Sequence, residues 1–187
     1  MSGKRTRAPR QPGLQPCLED VSVTVDFEFA ELTDQQKETV KREHKYIYDP
    51  GQVPDDVTCG LDTDDWLARF YGHAKLTSVT LSKPTKWLPN EEFRDMTERE
   101  LKQIAFVGET ITLVQTSQRY LLTREFDAPN GIEFTVKELL HVVERFEATV
   151  RQLDWEYGRL NPDHHFFEGL CEDTSFGDGM YSISWGS

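Results

Sequence analysis

The sequence predicts an α+β fold, in which a mainly antiparallel sheet carries one long amphipathic helix (about 136–155) with shorter helices packed on it. Three patterns lead to this prediction: strict apolar–polar alternation over 21–29, two strand-like runs at 109–116 and 119–126, and a helical apolar stripe within 136–155. Strands that follow one another through short turns favour antiparallel pairing. No glycine-rich phosphate loop follows a strand, which removes the usual nucleotide-binding folds.

The first half of the chain combines one clear strand with charged or irregular segments. Within residues 21–29 the apolar side chains share one strand face: Val21, Val23, Val25, Phe27 and Phe29. Thr33 is expected to cap an exposed, charged helix over 34–45. The other predicted elements are a loop at 49–60, a short helix at 64–71, a strand at 76–82 and a loop at 83–90.

The second half contains the strongest local signals. Thr97 and Glu100 have the spacing of a capping box, which predicts a short helix through about Phe106. Thr135 and Glu138 repeat that spacing before the long helix, whose apolar stripe is Leu139, Leu140, Val143, Phe146, Val150 and Leu153. The remaining predicted elements are the hairpin of 109–116 and 119–126, an Asn130-Gly131 turn, a short strand at 132–134 and a terminal strand at 180–185.

Charge divides the chain into two parts. Residues 1–17 form a Pro- and Gly-containing arm with four basic residues and no acid: Lys4, Arg5, Arg7 and Arg10. Residues 18–187 are predicted to form a single acidic globular domain, large enough to bury its own core. The chain carries a net charge of −12. An acidic body repels phosphate backbones, so nucleic acid could bind only through the arm.

Cysteine usage and hydropathy predict the compartment. Three sparse cysteines, Cys17, Cys59 and Cys171, form no CxxC pair, as is typical of a reducing environment. No apolar run approaches the length of about 18 residues that suggests a membrane span. The basic N-terminus lacks the apolar core of a secretory signal. We therefore expect an intracellular protein, cytoplasmic or nuclear, that does not bind membranes.

The segment 161–173 contains the greatest density of chemically active side chains. His164, His165, Glu168 and Cys171 are ligand types suited to zinc, with a carboxylate available as a base. Asn161 and Pro162 would begin a short helix that places His164 and Glu168 on one face and ends at Gly169. The favoured interpretation is structural, with this segment packed on the sheet, and a zinc-type metal site is the alternative.

The sequence contains no catalytic motif that would favour an enzyme over a binding protein. The sequence lacks a Gly-x-Ser-x-Gly elbow, which favours a non-enzymatic protein-binding or assembly protein. Its contacts would be the basic arm, a sheet edge or an aromatic C-terminal segment, and its partner another protein or a second copy. The alternatives are a metal-dependent protein, including a hydrolase, centred on 164–173, and a nucleic-acid-associated factor that uses the arm. The aromatic segment comprises Trp155, Tyr157, Phe166, Phe167, Phe176, Tyr181 and Trp185.

Overall fold

The computed structural model describes residues 12–31, 33–35, 74–90, 92–117, 120–156 and 164–187. These residues form strands and two α-helices, together with a single 3-10 turn at Pro16–Leu18. The helices are α1 (Glu98–Leu101) and α2 (Val136–Glu156). The strands are β1 (Gly13–Leu14), β2 (Val21–Ser22), β3 (Val25–Glu31), β4 (Ala74–Leu81), β5 (Thr85–Trp87), β6 (Phe93–Asp95), β7 (Ile104–Val107), β8 (Thr110–Thr116), β9 (Leu121–Asp127), β10 (Glu133–Thr135), β11 (Phe166–Glu172) and β12 (Met180–Gly186).

The described strands are arranged in four sheets. Their orders are β1-β7-β10, β11-β12-β8-β9, β2-β5-β6 and the pair β3-β4. Every pairing is antiparallel except that of β12 with β8, which is parallel. The protein is therefore sheet-rich and agrees with the α+β prediction. Of the predicted shorter helices, α1 is present, whereas most of 34–45 and all of 64–71 lie outside the described residues.

Local signals located several elements correctly. The hairpin is confirmed, with Ile111 opposite Phe126 and Leu113 opposite Arg124 across β8 and β9. The capping box of α2 is present, because Thr135 N donates to a Glu138 carboxylate oxygen at 2.8 Å and Glu138 N donates to Thr135 Oγ1 at 3.3 Å. The strand predicted at 76–82 is β4, and the terminal strand is β12.

Other boundaries were wrong because long-range pairing decides them. The helix predicted through Phe106 ends at Leu101, and the apolar run after it forms β7 between β1 and β10. The loop predicted at 83–90 contains β5, which pairs with β2 and β6. The single strand predicted over 21–29 is divided into β2 and β3, although Val21, Val23 and Val25 are all buried as predicted.

Helix α2 packs its apolar stripe against the sheets and defines the core. Leu139, Val143 and Phe146 have no exposed surface, and they share one cluster with Ile111 and Leu113 of β8. Burying a side chain of this size stabilises the fold by about 1.5–3 kcal/mol. The opposite face of α2 is left to solvent, and part of that face borders β9. No helix in the described ranges is both long and apolar enough to span a membrane.

Candidate functional site

The segment proposed as a metal site forms a strand where the sequence predicted a helix. β11 pairs with β12 through a bulge between Phe167 and Gly169. Gly169 has φ +131°, a value that L side chains rarely adopt. This glycine therefore shapes the bulge instead of ending a helix. His164 and Glu168 do not share a helical face.

The four candidate ligands occupy different surroundings. His164 contributes its backbone carbonyl to Arg151 at 2.9 Å, and the His165 ring lies 4.1 Å from the Phe166 ring. Cys171 Sγ is 3.5 Å from Ser184 Oγ, and Glu168 is exposed. Over the described ranges, no group of three or more His, Cys, Asp and Glu residues could hold a metal ion. The zinc alternative stays a prediction.

The basic arm meets the body within its last residues. Lys4, Arg5, Arg7 and Arg10 lie outside the described residues. Gly13 and Leu14 pair with β7, and the Cys17 thiol donates to Ile104 O at 3.0 Å. Burial raises the pKa of the Cys17 thiol above its usual value, which keeps it in its unreactive protonated form.

The aromatic C-terminal segment contributes mostly to the core. Phe167 and Tyr181 are buried, and Phe167 meets the Trp185 ring edge-on at 5.8 Å. Tyr181 packs in the same way against Phe106 at 5.5 Å. Phe166 is 43% exposed, and Tyr157 lies outside the described residues. Among the described aromatic residues of this segment, Phe166 is therefore the exposed one.

Hydrogen bonds at both ends of the β8–β9 hairpin show which backbone groups of β9 face outward. Ser117 N donates to Tyr120 O at 2.9 Å, and Ala128 N donates to Glu109 O at 2.7 Å. Because hydrogen-bonded and non-hydrogen-bonded pairs alternate along an antiparallel ladder, even-numbered residues of β9 turn their N–H and C=O groups toward β8. The residues that turn these groups outward are Leu121, Thr123, Glu125 and Asp127. No other strand in the described part of the chain pairs with this edge.

A groove of about 610 Å³ runs between this open edge and α2. Residues 124–127 all line it, although side chains alternate between the two faces of a strand. The groove therefore follows the C-terminal half of the β9 edge. Lys137, His141 and Arg145 line its other wall. They are spaced four residues apart on α2, so they form one exposed row with about 6 Å between neighbours.

Two of the cations that line the groove lie against an aromatic ring. The guanidinium carbons of Arg124 and Arg145 lie 5.2 and 5.4 Å from the centre of the Phe126 ring. Among the described ion pairs, none involves Arg124, Lys137 or Arg145.

The acidic residues that line the same groove are turned elsewhere. Arg124 and Phe126 share the face of β9 that meets α2, so the side chains of Glu125 and Asp127 belong to the opposite face. Glu138 is occupied by the capping box, where it accepts hydrogen bonds from the Thr135 N–H and hydroxyl at 2.8 and 2.7 Å. The cations that face this space are therefore Arg124 on the strand and Lys137 and Arg145 on the helix, while Glu138 keeps its charge at the start of α2.

No protein-family model, no curated protein and no solved structure matches the chain significantly. Sequence reasoning predicted both the hairpin and the long helix but missed the groove between them. The spacing of Lys137, His141 and Arg145, opposite the apolar stripe of the same helix, was the available signal. It does not reveal that this row faces the edge of β9.

Proposed function

We propose that this chain is a non-enzymatic protein-binding protein that docks an extended segment of a partner protein along the open edge of β9. The observation that supports this most directly is the row of outward-facing backbone groups from Leu121 to Asp127 beside a groove. An extended peptide can add to such an edge as a further strand, with main-chain hydrogen bonds providing affinity. The wall formed by α2 would provide specificity.

The dimensions of the edge suit this mode of binding. β9 has seven residues, which extend over roughly 20 Å at about 3.4 Å per residue in an antiparallel sheet. Its four outward-facing residues offer donors and acceptors to a partner strand of similar length. The groove volume of about 610 Å³ falls within the range of about 300–1,000 Å³ that is usual for ligand sites.

Charged side chains on an edge strand also protect proteins from indiscriminate strand pairing. Protection alone requires only that the edge carry charge. It does not explain why two cations of a separate helix, Lys137 and Arg145, line the groove beside this edge. The two elements together favour a selective edge that accepts one kind of partner strand.

The test is photo-crosslinking in the source cell from a benzophenone amino acid placed at Thr123. We expect a crosslinked partner, or a crosslinked second copy, that persists in the Glu125→Ala background and disappears in Glu125→Pro. The alanine variant removes only the side chain, whereas proline also removes an outward-facing N–H without breaking a hydrogen bond to β8.

Three controls accompany the crosslinking. A benzophenone amino acid at Glu98, exposed on α1, gives the background. Thermal unfolding must show that Glu125→Pro is folded. A chain that begins at residue 12 lacks all four basic residues of the arm but keeps β1, so it tests the arm as an additional contact. A crosslink that is equal from Glu98, or unchanged by proline, would contradict the proposal.

Native mass spectrometry of the untagged protein, before and after treatment with a chelator, distinguishes the alternatives. A metal-free protein that carries a partner or a second copy agrees with docking. One transition metal per chain, removed by the chelator, would instead favour the metal-dependent alternative and direct mutagenesis to His164, His165 and Cys171.

A further inference from the structure

We infer that the segment bound in the groove is acidic, with carboxylate side chains at alternating positions of an extended peptide. This inference rests on the proposed function and names the chemistry of the partner. It follows from the row of Lys137, His141 and Arg145 together with Arg124 across the groove.

The spacing of the side chains along α2 is close to the side-chain repeat on one face of an extended strand. Residues four apart on α2 are separated by about 6 Å along the helix. Side chains on one face of an extended strand repeat every two residues, or about 6.6–6.8 Å. For a partner strand that runs along α2, Asp or Glu at every second position would present one carboxylate near each member of the α2 row. A partner strand with its acids adjacent would turn every other carboxylate away.

The arginines have the geometry to bind carboxylates. The Phe126 ring lies within cation–π distance of the Arg124 and Arg145 guanidinium groups and holds them beside the groove. A guanidinium can donate two parallel hydrogen bonds to one carboxylate, and such charge-assisted pairs are stronger than neutral hydrogen bonds. Because no described ion pair already uses these groups, a ligand need not displace an internal carboxylate.

The rest of the molecule argues against a long polyanion. The chain has a net charge of −12, so a nucleic acid that extended beyond the groove would meet an acidic surface. A short acidic peptide can remain within reach of the cations. At about 0.1 M salt the Debye length is about 10 Å, so the groups that line the groove dominate over the distant acids.

The test is fluorescence anisotropy with three labelled peptides of about nine residues, the length that matches β9. The first alternates Glu with Thr and Val, the second has Gln in place of Glu, and the third has Lys in place of Glu. We expect only the Glu peptide to bind at about 0.1 M salt. Inorganic phosphate at equal concentration should compete weakly, because it offers no backbone groups to the edge.

Variants of the full chain locate the binding. Arg145→Gln should weaken the affinity for the Glu peptide by about tenfold, the effect of losing one charge-assisted pair. Lys137→Gln together with Arg145→Gln should abolish detectable binding. Lys83→Gln, at an exposed cation that pairs with Asp95 outside the groove, is the matched control and should leave the affinity unchanged.

The outcomes separate this inference from the proposed function. Equal binding of the Glu and Gln peptides, lost in Glu125→Pro, would overturn the acidic partner while supporting the strand-docking edge. Tight binding of the Glu peptide that survives Glu125→Pro would show a purely electrostatic site and overturn the docked strand. Absence of binding to all three peptides would overturn the acidic partner, and the Thr123 crosslink would then test the edge independently.

Discussion

At the scale of single residues, the most demanding feature is an ion pair inside the core. Glu147 and Arg151 are 1% and 5% exposed, and Arg151 Nε donates to a Glu147 carboxylate oxygen at 2.7 Å. Arg151 also donates to His164 O, and its guanidinium carbon lies 5.5 and 5.4 Å from the ring centres of Phe27 and Trp185. It thereby joins α2 to β3, to β12 and to the segment that precedes β11.

The surroundings of Glu147 disfavour the ionised form of its carboxyl. Burial raises the pKa of this carboxyl above its ordinary value, and Arg151 counteracts the rise. Trp185 supplies a further dipole that favours the charged form, although its Nε1 lies outside normal hydrogen-bond geometry. The pair is therefore a structural connection whose stability depends on its cation, and we assign it no catalytic step.

Replacing Arg151 with Met should destabilise the protein by about 3–5 kcal/mol at pH 8, because an unpaired charge is left in the core. The loss should be smaller at pH 5. Without Arg151 the folded-state pKa of Glu147 rises further above its unfolded value, so its contribution to stability is present at low pH and lost as pH rises through the folded-state pKa. Urea unfolding of wild type and variant at both pH values measures this.

The matched control is the double variant Glu147→Gln/Arg151→Met, which leaves no unpaired charge in the core. It should recover part of the stability and lose the dependence on pH. An Arg151→Met penalty that is equal at both pH values would mean that Glu147 does not change protonation, and that the loss comes from packing alone.

At the scale of elements, the sequence correctly predicted those elements whose caps, turns and pairing partners lie within one short stretch of the chain. Helix α2 has both its capping box and its apolar stripe in the sequence, and the hairpin has two adjacent runs and a short connection. The strands that were misjudged depend on distant partners. The apolar run of β7 fits a helix or a strand equally, and its pairing with β1 and β10 decides between them.

The candidate site shows the same division. A sheet edge was predicted as a docking element, and we propose β9, an edge strand of the predicted hairpin, for that role. The zinc ligands depended on a helix that β11 replaces, because the Gly169 bulge cannot be distinguished from a helix end in one sequence. The cationic groove requires the placement of α2 against β9, which no local pattern specifies.

The two capping boxes provide a comparison between elements. Thr135→Ala should cost about 1–2 kcal/mol, because α2 carries the core. Thr97→Ala should cost less, about 0.5 kcal/mol, since α1 buries no residue and the Arg94 guanidinium still holds the Glu100 carboxylate at 2.6 and 2.8 Å. Urea midpoints of both variants test this order, and Thr123→Ala controls for the loss of an exposed Thr. An equal or reversed cost would show that α2 does not depend on its cap.

At the scale of the whole molecule, acidic residues outnumber basic ones, 33 to 21. The described body is held together by buried apolar contacts and the Glu147–Arg151 pair, which are barely screened by salt. Its surface acids repel one another, and exposed pairs such as Lys83 with Asp95 contribute little. Stability should therefore increase when salt reduces that repulsion.

We expect the urea midpoint to rise as NaCl increases from about 20 mM to about 300 mM, over which the Debye length falls from above 20 Å to below 10 Å. Urea is the suitable denaturant because it adds no ions. NaCl is preferred to sulfate, which stabilises proteins by exclusion from their surface. The variant Glu109→Gln/Glu125→Gln removes two exposed charges, so it should be more stable than wild type at low salt and respond less to NaCl. A midpoint that falls with NaCl would mean that surface ion pairs outweigh the net repulsion, and the cations of the groove would then be stabilising the fold by attraction to surrounding acids instead of remaining available to a ligand.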